Sequence, residues 1–393
     1  MFLFAAEGLF TQEQDCAGYE LLKCVRAYLN VMMYSGLHVQ TASTMAAGRA
    51  SIRVLHSLLS NYVDLPKPDE IEEKNWDFIK NHYLTHLFDD IQRKGVLRNF
   101  STRLFEKQHG TLRNIYHRRT NFKNIAPQIL EVRHQLDVSM IIKAEIELME
   151  EYEKFLKSDS EEAQPKDTED VFSKLGGAHF SIGSKLRAIT LEDFGNEKFT
   201  TPEDVRKFRI ELGNFMSKSL QAHGIRLPNE RWINYGPMET ILPFQFLKVN
   251  YESLETWQVS TDYLRCNPDF HKRPRYDFII FNTEAGPVFA ELKHLFVCTV
   301  GADKYPIAYV QPFKVFSMTR RRYSDRHLGI LRIKPDTHCE FISVHSIVRG
   351  ALCAAAHGAA GTEAHFEKLV VDTVDYDMFL RVKLNWPKYT DVD

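Results

Sequence analysis

The sequence predicts an α+β protein whose helices precede an antiparallel β module. Apolar residues recur at three- and four-residue steps in three runs before position 92. After position 229 the period changes to two, in short β-branched or aromatic runs separated by turn residues. A charged, proline-containing stretch separates the two patterns and is typical of a linker. The predicted regions are a helical region at 1–156, a linker at 157–175, a helical connector at 176–228 and a β-rich module at 229–393.

Periodicity places the helices of this scheme in order. Two amphipathic runs cover 15–33 and 52–62, a third follows at 76–91, and a long helix is expected over 124–156, with Pro127 in its first turn. In the connector, Thr201 is followed by Pro202, Glu203 and Asp204, which is the pattern of a capped helix start. Gly224 is expected to end that helix.

The β-rich module is predicted from eight short runs and is expected to form a small barrel or a curled sheet. The runs are Ile241–Val249, Tyr276–Phe281, Val288–Val297, Ile307–Val310, Gly329–Ile333, Phe341–Val344, Leu369–Val374 and Met378–Leu384. Residues 354–361 have low complexity and are predicted to form a surface loop.

Composition restricts the classes of protein to consider. The chain has 393 residues with 44% hydrophobic content, which supplies cores for two or three domains. Its net charge is −2, so any nucleic-acid surface has to come from local segregation of charge. Six widely spaced cysteines without a CxxC pair favour reduced thiols. No run approaches the ~20 apolar residues of a membrane span, so we expect an intracellular, non-secreted protein without a membrane partner.

The segment from Arg93 to Lys123 is the most basic in the chain, with nine cations and a single acid, Glu106. Aromatic residues lie between the cations, a mixture suited to phosphate contacts and to stacking on bases. The alternative is a solvated helix face whose cations pair with the acidic stretch 145–153. Further basic clusters occur at 272–275 and 319–323, where charge also serves simply to keep loops solvated.

Several motifs in this region occur in the order found in fungal Plavaka-type transposases of the CACTA superfamily, which the chain resembles. They are His86-Leu87-Phe88-Asp89-Asp90-Ile91, Lys94-Gly95-Val96-Leu97-Arg98-Asn99, Phe105-Glu106-Lys107-Gln108-His109-Gly110-Thr111-Leu112-Arg113 and Arg119-Thr120-Asn121-Phe122-Lys123. Segments 246–253, 260–268, 275–277 and 372–381 extend the resemblance through the second half. It covers nearly the whole chain.

The resemblance implies an RNase H-like fold in which two aspartates and a glutamate hold Mg²⁺ for DNA strand cleavage and transfer. Glu106 is then the third carboxylate, serving as both catalytic residue and metal ligand. The alternative is an acid that pairs with Lys107 or Arg103. The two aspartates find no counterpart upstream, so the chain is expected to be a C-terminal fragment or derivative of a transposase that cannot cut DNA alone.

The DNA-binding residues expected from this basic segment are Arg98, Arg103, Lys107, His109, Arg113, Arg118, Arg119 and Lys123. The expected partners are DNA and the remaining part of a transposase or a second copy of the chain, and the expected location is the nucleus. Two other hypotheses remain open. One is a non-catalytic DNA- or protein-binding module derived from a transposon, and the other is a decayed gene product.

Two further patterns have both a functional and a structural interpretation. His82 and His86 stand one helical turn apart, as metal ligands do, but a pair on a helix surface is favoured because Tyr83 replaces the glutamate of zinc hydrolases. The Asp-Tyr and Tyr-Asp pairs at 262–263, 276–277 and 375–376 are interpreted as strand and turn chemistry.

Overall fold

The computed structural model describes residues 2–65, 79–160, 179–228, 231–317, 322–356 and 367–390. It combines helices with an antiparallel sheet, which confirms the α+β class. The chain divides into two compact units, one formed by Met1–Val96 together with Val171–Asp393 and the other by Leu97–Asp170. This division differs from the predicted boundaries, since the first helices belong with the sheet.

The larger unit begins with helices α1 (Phe2–Ala6), α2 (Cys16–Gly36), α3 (Ala42–Val63), α4 (Ile79–Tyr83) and α5 (Leu87–Lys94). Asp15 caps α2 by accepting a hydrogen bond from the Gly18 amide, and Thr41 caps α3 in a capping box with Thr44. The run predicted as one helix at 76–91 is interrupted by a 3₁₀ turn, Leu84–His86, and its first three residues lie outside the described part.

After the predicted linker, of which 161–175 lie outside the described residues, strands β1 (Phe180–Lys185) and β2 (Ile189–Thr190) precede helices α8 (Leu191–Lys198) and α9 (Pro202–Ala222). The connector is therefore not purely helical. Thr201 caps α9 through the Asp204 amide, with Pro202 in the first turn, as predicted. The helix ends two residues before Gly224, which has a positive φ of 69°.

The β-rich module contributes eleven more strands to the described sheet. They are β3 (Thr240–Glu252), β4 (Val259–Phe270), β5 (Arg273–Tyr276), β6 (Phe278–Thr283), β7 (Gly286–Val300), β8 (Asp303–Val315), β9 (Leu331–Pro335), β10 (Glu340–Ser343), β11 (Ile347–Ala351), β12 (Cys353–Ala355) and β13 (Lys368–Val370). Helices α10 (Tyr323–His327), α11 (Tyr376–Asn385) and α12 (Pro387–Thr390) lie among or after them. Residues 357–361 of the predicted loop and 319–321 of one basic cluster lie outside the described part.

The sheet runs in the order β12-β13-β9-β8-β7-β3-β4-β5, and each described strand pair is antiparallel. Strand β7 pairs with β8 along its length, while its other edge pairs first with β6 and then with β3. Strand β11 pairs with β6 and returns against β4, where Gly350 lies close to Leu264. The sheet thus curls around an apolar core, as predicted.

One predicted strand is wrong, and another is too long, since the run Leu369–Val374 leaves the sheet after Val370 and ends in a 3₁₀ turn, Asp372–Val374. Residues 378–384 alternate apolar and polar side chains, yet they form part of helix α11. Asp375 caps this helix through the Met378 amide, and the buried set Met378, Phe379 and Val382 follows the helical repeat, leaving Leu384 68% exposed. A local cap decides the structure here, since the apolar pattern alone is compatible with both periods.

Three buried arginines tie distant parts of the larger unit together. Arg26 in α2 donates both terminal nitrogens to the carboxylate of Asp372, at 2.8 and 2.6 Å. Arg332 in β9 contacts Asp325 at 2.7 and 2.8 Å and Glu7 at 2.5 Å. Each guanidinium is almost fully shielded from solvent, so carboxylates replace the water that it loses.

The third arginine, Arg349 in β11, lies among three aspartates. Its guanidinium contacts Asp375 at 2.8 Å, Asp377 at 2.6 Å and Asp262 at 3.3 Å. Burial opposes ionisation of Asp375, but the hydrogen bond and charge of Arg349 outweigh it and lower the pKa of that carboxyl. Burial raises the pKa of Asp262, against the opposing charge of Arg349. These aspartates are occupied in ion pairs, and Asp375 also caps a helix.

We predict that Asp372→Ala lowers the free energy of unfolding by about 3–5 kcal/mol, because it leaves the buried Arg26 without its counter-ion. Replacing both residues, Arg26→Met with Asp372→Leu, should recover most of that loss since no buried charge then remains. Urea unfolding followed by circular dichroism measures both. The control is Glu147→Ala, which removes an exposed partner of Lys143 and should cost at most about 1 kcal/mol. Equal losses in the single and double variants would contradict the interpretation.

Candidate nucleic-acid interface

The smaller unit carries the predicted DNA-binding residues on and around one helix, α6 (Arg103–Arg119), which is followed by the long helix α7 (Ile125–Ser160). Arg98 lies just before it in a 3₁₀ turn, Leu97–Asn99, and Lys123 lies in the loop after it. The structure thus places all seven predicted cations and His109 within one short stretch of chain. The side chains of residues 103–105 are outside the description, so Arg103 is placed by its backbone alone.

Helix α6 has an apolar face and a polar face. Leu112, Ile115 and Tyr116 are wholly or partly shielded, and Ile115 is only 4% exposed. At 100° per residue, position 107 lies on the opposite side of the helix, and positions 106, 109 and 113 lie along one flank between the two sides. These three residues are exposed, as are Lys107, Arg118 and Arg119. Glu106 therefore lies on the exposed cationic face, away from apolar packing.

The cations of α6 are available to a ligand. Among the described side chains, Lys107, Arg113, Arg118 and Arg119 make no ion pair within 4 Å. Glu147 of the acidic stretch in α7 pairs instead with Lys143 of its own helix, at 3.7 Å. The alternative in which the α6 cations neutralise residues 145–153 thus finds no support in the described contacts of the helix.

Glu106 lies in the first turn of α6, where a carboxylate is favoured by the helix dipole. Its Oε1 accepts a hydrogen bond from the Thr102 hydroxyl at 3.1 Å, and no ion pair joins it to Lys107 within the described side chains. The pairing of Glu106 with Lys107, expected in the alternative interpretation, is therefore absent there. The Thr102 bond holds one oxygen and leaves the other exposed to a ligand.

The implied Mg²⁺ site does not fit the residues described. Mg²⁺ takes near-octahedral oxygen ligands, and two-metal strand transfer needs carboxylates converging from several segments. Glu106 offers one carboxylate, and no group of three or more His, Cys, Asp or Glu side chains suited to a metal occurs among the described residues. A single carboxylate therefore does not complete such a metal site among the described residues.

The turn that follows α6 is held by side-chain hydrogen bonds. The Asn121 carboxamide oxygen accepts from the Lys123 amide at 2.9 Å and from Gln128 Nε2 at 2.7 Å, while Gln128 Oε1 accepts from the Asn121 amide at 3.0 Å. Phe122 and Asn124 have positive φ angles of 59° and 47°, which the bonded turn supports. Lys123 is thereby fixed beside the end of α6.

The other metal candidate is a surface pair. His82 and His86 are exposed, with ring centroids 5.2 Å apart. The neighbouring carboxylates are engaged, because Asp89 pairs with Arg49 at 2.8 Å and Asp90 with Lys94 at 3.0 Å. This arrangement matches the favoured interpretation of the two histidines. The six cysteines are unbridged, in agreement with the reduced thiols predicted.

Comparison with known proteins identifies no family. No protein-family model matches the sequence, and no curated protein gives a significant match. Within the described residues, moreover, no helix combines the length and apolar character needed to cross a membrane. The geometry of the chain itself therefore carries the functional argument.

Sequence reasoning missed two arrangements that depend on long-range packing. The first is the set of buried arginines, whose partners lie up to 346 positions away in the chain. The second is a pair of aromatic side chains, Phe246 and Tyr263, brought together on the outer face of adjacent strands. Aromatic residues in alternating runs signal strands, but only the strand register shows which of them become neighbours.

Gly110 gives a test of how open the polar face is. It lies in the middle of α6, and a Cβ added there would meet nothing within 4 Å. Glycine inside a helix costs roughly 0.5–1 kcal/mol relative to alanine. We predict that Gly110→Ala stabilises the protein by that amount in urea unfolding. Unchanged or lower stability would show that this face is packed against something, contrary to its described exposure.

Proposed function

We propose that the chain binds DNA through the cations of α6 and its flanks, as the C-terminal portion of, or a protein derived from, a DDE-type transposase of the Plavaka type. The observation that carries the DNA-binding part is the exposed surface of α6, where Lys107, Arg113, Arg118 and Arg119 lie without acidic partners in the described structure. Lysine and arginine side chains without acidic partners can replace the counterions condensed on duplex DNA. The release of those counterions favours binding to the phosphates.

The transposase part of the proposal rests on the ordered motifs around Glu106 and on the place of that residue. A carboxylate inside a cationic surface lowers the affinity of that surface for phosphate, unless a divalent cation lies between the carboxylate and the phosphate. In the proposed RNase H-like core, Glu106 supplies one of three carboxylates and the other two come from elsewhere. Strand cleavage by this chain alone is therefore not expected. A nuclear location would follow from the DNA substrate.

A non-catalytic DNA-binding module is the second candidate, and it is favoured because Glu106 belongs to no group of three or more potential metal ligands among the described residues. The two candidates share the cationic face and differ in what Glu106 does. In the first, the carboxylate holds Mg²⁺ next to a phosphate. In the second, it only repels the phosphate.

We predict that duplex DNA binding weakens about 10³-fold or more between 50 and 200 mM salt if six or more of the predicted cations contact phosphates. Replacing Lys107 and Arg113 together by glutamine should reduce the slope of log affinity against log salt by about 2. Fluorescence anisotropy with a labelled duplex measures both. Lys143→Gln, on the exposed surface of α7 in the same unit, is the matched control and should change the slope little. Binding that is insensitive to salt would overturn the proposal.

We predict that the purified chain does not cleave supercoiled plasmid with Mg²⁺ or Mn²⁺, because one carboxylate cannot hold the catalytic metals. Cleavage that disappears in Glu106→Ala would contradict this.

Measurements of DNA affinity separate the two candidates. Without metal, Glu106→Gln should bind DNA more tightly than the wild type since a repulsive charge is removed. Added Mg²⁺ should strengthen wild-type binding selectively only if Glu106 holds the cation.

A further inference from the structure

The larger unit carries a second surface of aromatic and basic side chains, on the outer face of strands β3, β4 and β5. In the β3–β4 register Phe246 lies opposite Arg265, and Lys248 lies opposite Tyr263. Directly paired residues share one face of a sheet. Leu247, which alternates with these residues along β3, is fully buried in the core. The register therefore gathers two aromatic rings and two cations on the side turned away from the core.

The two rings are parallel neighbours. The centroids of Phe246 and Tyr263 are 6.0 Å apart and their planes differ by only 14°. Tyr263 is 60% exposed, an unusual degree for an aromatic side chain in the middle of a strand. Beneath Phe246 lies Gly183 of β1, whose missing side chain leaves room for the ring, because a Cβ there would approach it to 2.8 Å. The sheet thus supports a flat aromatic platform.

Arginines extend this platform toward the edge of the sheet. The guanidinium carbon of Arg265 lies 5.0 Å from the centroid of Phe246 and 4.4 Å from that of Phe270. Arg275 lies 5.2 Å from the centroid of Phe270 and is oriented by Asp277, at 2.9 Å. Stacking on aromatic faces holds a guanidinium flat while its N–H groups stay directed outward.

A tight turn adds cations at the end of the same ribbon. His271 and Lys272 connect β4 to β5 with φ angles of 54° and 64°, the pair of positive values that a type I′ hairpin requires. Lys272, Arg273 and Arg275 are all exposed. A two-residue turn is rigid, so these charges keep a fixed position relative to the platform.

Sheet-edge protection explains part of this surface. Strand β5 is an edge strand, and Arg273, Pro274 and Arg275 are the residue types that prevent edge-to-edge pairing. It does not explain Phe246, which is paired with β1 on one side and β4 on the other, or Tyr263, because a large aromatic ring is not among the residue types that protect a sheet edge. A large exposed ring there gains little from packing and is suited to a planar ligand.

We propose that the outer face of β3–β4–β5 binds single-stranded nucleic acid. Bases stack on Tyr263 and Phe246, while Lys248, Lys272 and Arg273 contact phosphates. Stacking needs unpaired bases, since a duplex keeps its base faces covered. This site lies in the larger unit and is independent of the cations on α6, so it stands or falls separately from the duplex binding proposed above.

The test compares variants of Tyr263 in the full chain. Anisotropy is measured with unstructured DNA and RNA oligonucleotides of about 15 nucleotides, a length within the range that single-strand binding folds cover. Tyr263→Ala should weaken binding at least about fivefold, whereas Tyr263→Phe, which keeps the ring, should bind like the wild type. Tyr323→Ala is the matched control, since Tyr323 is also 60% exposed in the same unit. Duplex affinity should not change in any of these variants.

A second readout reports stacking directly. Tyr263→Trp should show indole fluorescence that is quenched when the oligonucleotide binds. Quenching by DNA and RNA alike would support recognition of bases and phosphates without the sugar, and quenching by RNA only would assign contacts to the 2′-hydroxyl. Unchanged affinity in Tyr263→Ala, together with no quenching in Tyr263→Trp, would overturn the proposal and leave the platform as a cross-strand pair that stabilises the sheet.

Discussion

Burial of three guanidinium groups is the constraint on which the larger unit depends. Arg26, Arg332 and Arg349 cannot be deprotonated, so each has to find carboxylates at the place where it loses water. Their partners come from the opposite end of the chain or from a different element. Any arrangement that misplaces α1 or α2 leaves a buried charge uncompensated, at a cost of several kcal/mol. Apolar packing alone tolerates such shifts much more readily.

These ion pairs explain why the first helices belong with the sheet. Leu3, Phe4 and Leu22 pack in one apolar cluster with Leu369 and Val371. Asp372, the partner of Arg26, directly follows Val371 in the chain. Apolar contact provides the general attraction, while the charged pairs select one position within it.

Local signals account for what the sequence could predict. Helices α2, α3 and α9 follow from apolar periodicity, and the cap at Thr201 follows from its neighbours, because these interactions span only a few residues. The basic character of residues 93–123 is equally visible in the sequence, whereas the pairing state of those cations is not. The arginine partners, the helical state of 378–384 and the neighbouring positions of Phe246 and Tyr263 could not be predicted, since register and burial arise only after distant segments meet.

The two proposed surfaces differ in the state of nucleic acid that each can select. A duplex offers phosphates and keeps its base faces stacked inside, so the unpaired cations of α6 gain from it and an aromatic platform does not. A single strand exposes base faces, which favours Tyr263 and Phe246. Cleavage and transfer of DNA strands expose both forms at one locus. The two proposals therefore concern different forms of nucleic acid on different units, and neither mode of binding needs a metal.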